Sequence, residues 1–387
     1  MNFLKINEKL SLLFLFIALS VRPVYKYFEY VLNFPRVNIT ALYIFLLLAF
    51  ILTNLYYLNK GFKKGTFNTF LLLVMVSLIQ ICSFPTVVHY TNNGFYVYLL
   101  VIAQTSIQYW LFWFAGININ QVWANQKFWK IMSWAWLIIA SIIIWNALSN
   151  KIFAIILEGN LIYLMLADSF AVLSIFILCK LDNRTKELLL IVITSVCLFA
   201  LFSRAALYCF ILTAVIFLYK KNKILMVSTI VSLGVFIFLN LDNSEFANNR
   251  MIRLISGSYD LSQSVRQNQL EAGIEDLSSV WILGDFMGDI DSNFGLRGNY
   301  IHNYLSFWRQ FGLVPFIAFI FILIGCCFKV FKYWIKNKQV NGLPLFLFCF
   351  TVFSLSEIIL ARSFVHPYIW MSIGGISTYF QSRKRND

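Results

Sequence analysis

Apolar runs of about 15–22 residues recur from one end of this 387-residue chain to the other, separated by short polar links. That is the length at which a helix crosses the hydrocarbon of a bilayer. A helix supplies every backbone polar group with the internal partner that hydrocarbon cannot offer. Composition agrees: 60% of residues are hydrophobic and 12% charged, against roughly 45–50% and about 25% in soluble domains. The pattern predicts an all-α, polytopic membrane protein forming a single integral domain over residues 1–387.

Twelve spans are predicted, at 9–21, 40–58, 67–88, 95–116, 131–148, 161–179, 187–202, 205–219, 224–241, 301–328, 345–361 and 367–381. The net charge of +14 suggests a nucleic-acid binder only until it is mapped. With the N-terminus inside, 20 of the 31 Lys and Arg residues fall on the inner face, which is the positive-inside bias. Both termini are then cytoplasmic, and the charge is a topology signal, with no nucleic-acid partner implied. Reading 187–219 as one helix would put Lys220, Lys221 and Lys223 on the wrong side, so two spans are preferred there. The seven cysteines all lie in or at the edges of spans, with no disulfide framework or metal spacing. The first span carries no cleavage site and reads as a retained anchor.

One stretch departs from this apolar pattern. Residues 242–300 form a polar, extracytoplasmic loop between spans 9 and 10. Within it Val265, Leu270, Ile274, Leu277 and Trp281 recur at near-helical spacing, Ser262 can cap the helix and Gly284 can follow it. An amphipathic helix of about 16–20 residues is expected over the membrane domain. The loop's bases are Arg250, Arg253, Arg266 and Arg297, with no Lys. Arginine holds phosphate oxygens through a planar fork. The bland alternative is that these arginines pair with the loop's nine acids.

Three features carry chemistry. Arg204, in "FSRAALY" (202–208), sits at the outer end of two spans and needs an anionic partner there. That partner is a ligand phosphate or, structurally, Asp168 or Glu357. Arg266 lies on the loop helix. In "GNYIHNYLSFWRQFGLVPF" (298–316), a helix starting at Asn299 or Asn303 would put His302, Ser306 and Arg309 on one face. Arg309 would then lie about 10 Å deeper than His302, lining a polar cavity open to the outside. His302 is the side chain suited to proton transfer near neutral pH. His89 and His366 also map to the outer side, but no pair of histidines has ligand spacing, and no metal or cofactor is called for.

The order of these motifs resembles the bacterial O-antigen polymerase and O-antigen ligase superfamily. The matching elements are Ser203–Arg204, the Arg266 helix, a Gly-Asp turn in "GDFMGD" (284–289), and His302, Asn303, Leu305, Gly312, Leu313 and Pro315. They span about 187–325; residues 1–185 carry no recognisable motif. The resemblance implies a metal-independent, C-type glycosyltransferase without cofactor, working at the periplasmic face of the bacterial inner membrane. The partners it implies are an undecaprenyl-diphosphate-linked glycan donor, a glycan acceptor, membrane lipid and a chain-length regulator. Carried over, Arg204 and Arg266 would hold the diphosphate and His302 would activate the acceptor hydroxyl. Arg309, Asn303 and Ser306 are supporting candidates. Polymerase is favoured over ligase. A non-enzymatic transporter of lipid-linked oligosaccharide is the other class. Against it, the polar groups gather at one side and no repeat relates the two halves.

Overall fold

The computed structural model describes residues 3–31, 34–35, 39–58, 64–89, 94–149, 162–227, 231, 261–289, 301–337 and 340–383. Among them the ordered elements are all helices. The N-terminal half supplies α1 (Lys5–Glu29), α2 (Ile39–Leu58), α3 (Lys64–Cys82), α4 (Phe95–Ile117) and α5 (Gln126–Ser149). Then come α6 (Ile162–Leu178), α7 (Arg184–Ala200), α8 (Arg204–Lys221) and α9 (Leu261–Val280). The chain closes with α10 (Leu305–Phe311), α11 (Leu313–Lys336), α12 (Leu343–Leu360) and α13 (Tyr368–Arg383).

Five of these, α1, α4, α5, α11 and α12, are long and apolar enough to cross a membrane, and three shorter helices are also apolar. The protein is a helical membrane protein by that measure. Most of the predicted span at 224–241 lies outside the described residues, as do 242–260 and 290–300 of the predicted loop, with Arg250, Arg253 and Arg297. The stretch 187–219 is two helices, as preferred, turning at Leu201–Ser203. Phe202 takes a left-handed φ of 54° there, a conformation that costs a non-glycine residue about 1–2 kcal/mol. The expected loop helix is present as α9.

Span 10 differs from expectation. It is broken at Gly312, whose φ is 82°. Pro315 explains the restart, since proline is tolerated in a helix's first turn and disfavoured further in. The long apolar helix is therefore 313–336, not 301–328. His302 precedes α10 rather than lying on it, and His302, Ser306 and Arg309 do not form one stripe descending into the membrane domain.

The core is aromatic and tightly layered. Phe176 stacks on Phe346 at 4.2 Å and Trp334 on Phe348 at 3.9 Å. Helices α4 and α13 cross in backbone contact. A Cβ on Gly116 would stand 2.4 Å from the Met371 carbonyl oxygen, and one on Gly374 would stand 2.6 Å from that of Trp113. Small residues let backbones touch where apolar burial alone gives helices no reason to associate. Replacing Gly116 by valine forces the two backbones apart, and overpacking of this kind costs about 1–3 kcal/mol or more. The expected result is loss of the monodisperse peak in size-exclusion chromatography; a normal profile would count against this contact.

At one end of the bundle, lysines close the helix termini. Lys220 donates to the Trp334 and Asn337 carbonyls, Lys180 to that of Trp123, and Lys221 to that of Leu181. Lys221 also pairs with buried Glu187 at 2.6 Å. Cations at C-terminal carbonyls complement the helix dipoles. The opposite end holds the candidate site.

Candidate functional site

Four buried ionisable side chains meet where α6 begins and α12 ends. Arg362 follows α12 in the link to α13. Its Nη2 donates to Asp168 Oδ1, and its Nε lies 2.9 Å from Glu357 Oε2. His366 adjoins them: donor atoms of Asp168, Glu357 and His366 lie within 4.8 Å of one another. Burial works against the charge of Arg362, but the two carboxylates outweigh it and raise its pKa. Burial first, and the Arg362 guanidinium second, push His366 well below the usual imidazole range.

Among the described residues, Asp168 and Glu357 both make ion pairs with Arg362. Sequence reasoning counted Arg362 only as a topology charge. The visible signal was "EIILARSFVHP" (357–367), with an acid, a base and a histidine packed around a span end.

Arg204 is the first residue of α8, half-buried, and acts electrostatically on Tyr208 one turn on. α8 packs against α6 and α12. Its Cys209 lies in the field of Glu357, Arg362 and Asp168. Arg266, half-buried on α9, acts on Glu357. His302 is half-buried in the approach to α10. It is held there through its neighbours: Asn303 Oδ1 accepts from the Leu305 amide at 2.9 Å, and Ser306 Oγ donates to the Asn303 carbonyl at 2.7 Å. Ser306 Oγ also accepts from the Phe364 amide at 2.7 Å, and Tyr109 donates to the Phe364 carbonyl. The 361–367 link is thus tied to the His302 segment on one side and to α4 on the other. The fold brings the segments bearing Arg204, Arg266 and His302 to one end of the bundle, around the tip of α12. Asn303 and Ser306 close the turn that follows His302.

Arg309 does not line an open cavity. It is 4% exposed at the side chain and enclosed by aspartates. Its Nε donates to Asp276 at 2.7 Å, and Nη1 donates to the Asp285 carbonyl at 2.6 Å and to Asp289 at 3.3 Å. Gln310 donates to the same Asp289 oxygen at 2.7 Å and accepts from the Met287 amide at 2.8 Å. Burial raises the pKa of Asp289, against the lowering contacts of Gln310 and Arg309. The loop's acids therefore find an arginine outside the loop. Backbone contacts complete the join: the Asp285 amide donates to the Arg309 carbonyl at 2.9 Å and the Leu313 amide to that of Ile282 at 3.0 Å. A Cβ on Gly284 would meet the Gly312 nitrogen at 2.3 Å, so glycine is needed where the strands of chain touch.

This clamp holds α9, and with it Arg266, over the bundle. Replacing Arg309 by glutamine leaves three carboxylates around a neutral side chain, two of them half-exposed and Asp289 buried. The expected outcome is faster tryptic cleavage after Arg266 with the rest of the protein intact. Unchanged protection would show that the backbone contacts suffice.

An apolar groove of about 960 Å³ runs between α8, α11 and α12. Tyr304 and Ile358 line it near the site, and Leu323, Phe331 and Phe348 line it further along. Tyr304, two residues after His302, is thus part of its lining. The chain matches no family model and no curated protein sequence.

Proposed function

We propose that the protein is a membrane glycosyltransferase that polymerises undecaprenyl-diphosphate-linked oligosaccharide repeat units into O-antigen or a related surface polysaccharide. The observation that carries this reading is the apolar groove lined at one end by Tyr304 and Ile358, which are close in sequence to His302 and to the Glu357 on which Arg266 acts. Such a site suits an amphiphile with a long hydrocarbon tail and a charged head. In this reading the chain spans the bacterial inner membrane twelve times with both termini cytoplasmic. The 242–300 loop and the site face the periplasm, and the lysine-rich end faces the cytoplasm.

The tail lies in the groove and the diphosphate meets Arg204 and Arg266. The bond between the anomeric carbon and the phosphate oxygen breaks as one forms to the acceptor hydroxyl, and undecaprenyl diphosphate leaves. The two guanidinium groups stabilise the charge developing on it. The hydroxyl proton passes to His302, which acts as general base. Attack opposite the leaving group inverts the anomeric centre. A neutral or weakly charged repeat unit suits the acceptor side better than the phosphorylated core of lipid A, because the loop carries nine acids against four arginines. Ligation to lipid A core, the other acceptor chemistry, would use the same three residues.

The purified full chain, given lipid-linked repeat units with EDTA present, should extend the glycan and release undecaprenyl diphosphate. No transfer, or transfer that EDTA abolishes, would reject the proposal. In a deletion strain a missing polymerase leaves core capped by one repeat unit. A missing ligase leaves bare core while lipid-linked polymer accumulates.

A further inference from the structure

The charges of the buried cluster do not balance. Asp168, Glu357, Arg362 and His366 are each nine-tenths buried or more. Arg362 supplies one positive charge against two carboxylates, and His366 is held neutral by its surroundings. One negative charge is left over in an apolar bundle, where an uncompensated ion is costly. The geometry locates the imbalance. Both Glu357 oxygens and His366 Nε2 lack hydrogen-bond partners among the described residues, and so does Arg362 Nε, whose approach to Glu357 is close but not aligned as a hydrogen bond.

The other groups around the cluster do not supply the missing charge. Tyr163 on α6, Tyr208 and Cys209 on α8 and Tyr368 on α13 are phenols and a thiol, groups ordinarily neutral near pH 7. Arg266 on α9 acts on Glu357 more weakly than Arg362 does. Arg204 sits half-buried beside Tyr208, and the charge of Arg22 on α1 acts on Tyr368.

We infer that this cluster is a proton-binding site: one proton is shared between Glu357 and His366 Nε2. Glu357 and His366 present ligand atoms within 4.8 Å of each other, and a carboxyl O–H turned to the imidazole partners His366 Nε2 and one Glu357 oxygen and leaves the Asp168–Arg362 pair as the buried charges. Other cations fit less well. A dication would stand against the Arg362 guanidinium, which already contacts both carboxylates. An alkali ion prefers oxygen ligands and would leave His366 Nε2 unused. The proton belongs to the pair rather than to either residue alone.

The site is independent of what reaction the protein catalyses, and its test uses no activity. The full chain in lipid nanodiscs, followed by infrared difference spectroscopy, should show the carbonyl band of a protonated buried carboxyl at neutral pH. The band should shift in D2O, fade at alkaline pH and be missing in Glu357→Gln. That variant places a neutral amide donor beside His366. It should melt like the wild type at neutral pH and above it at alkaline pH. Absence of the band from the wild-type spectrum would overturn the inference by itself. So would a Glu357→Gln protein that melts far lower at neutral pH or fails to fold, the mark of a broken ion pair. A wild-type melting midpoint that rises when sodium replaces choline at fixed ionic strength would point to an alkali ion instead and equally overturn it.

Discussion

Arg362→Ala should fail to accumulate as folded protein. Its guanidinium bonds Asp168 and contacts Glu357 from a position about nine-tenths buried. Removing it strands the Asp168 carboxylate among apolar side chains. Breaking a buried pair by deleting one partner costs about 3–5 kcal/mol, because the remaining charge keeps its desolvation penalty and loses its compensation. That is a large part of the roughly 5–15 kcal/mol by which folded domains are stable. The measurement is the melting midpoint in detergent and the folded fraction by size-exclusion chromatography. Arg362→Lys should be intermediate, since an ammonium keeps the charge but lacks the fork that reaches two carboxylates. Arg362→Met combined with Asp168→Asn should recover much of the loss, because replacing a whole buried pair is far milder than breaking it. Wild-type behaviour of Arg362→Ala would mean that another cation already neutralises Asp168.

The same cluster shows what local pattern can and cannot reveal. Hydropathy places the helices well, because apolar length is a local property and lipid permits few alternatives. It also located α9, whose apolar residues recur at helical spacing. The break at Gly312 was readable too, since "FGLVPF" (311–316) puts glycine before a first-turn proline, the ordinary mark of a helix start. Partner choice was not readable. Asp168 and Arg362 are 194 residues apart, and only the packing of α6 against α12 brings them together. Arg309 was placed on a face by assuming one continuous helix. Once the helix breaks, its side chain turns to Asp276, Asp285 and Asp289. The loop's acid excess was a true signal, but it was assigned to arginines within the loop. Arg204, Arg266 and His302 stand out in the sequence because charge at the edge of an apolar run is conspicuous.

His302→Ala should lower the transfer rate by about 10²–10⁴-fold, the usual contribution of a positioned general base, while leaving the fold intact. The expectation rests on the glycosyltransferase reading and on where the residue sits. His302 is half-buried, precedes α10 rather than packing within a helix, and lies outside the aromatic layers of the core. Its neighbours do the structural work: Asn303 and Ser306 close the turn, and Ser306 ties it to Phe364. Truncating the imidazole removes the proton acceptor and leaves the turn made by Asn303 and Ser306 in place. Donor affinity, set by Arg204 and Arg266 in this reading, should change far less than turnover, since the base acts in the transition state. A pH profile adds a second readout. Any rise in wild-type activity with pH that comes from deprotonating the base should be missing from the residual activity of His302→Ala. Tryptic protection of the Arg266 segment should stay as in the wild type, separating lost chemistry from a displaced α9. Activity within threefold of wild type, with the pH profile unchanged, would remove His302 from the reaction and leave the base to be sought elsewhere at this end of the bundle.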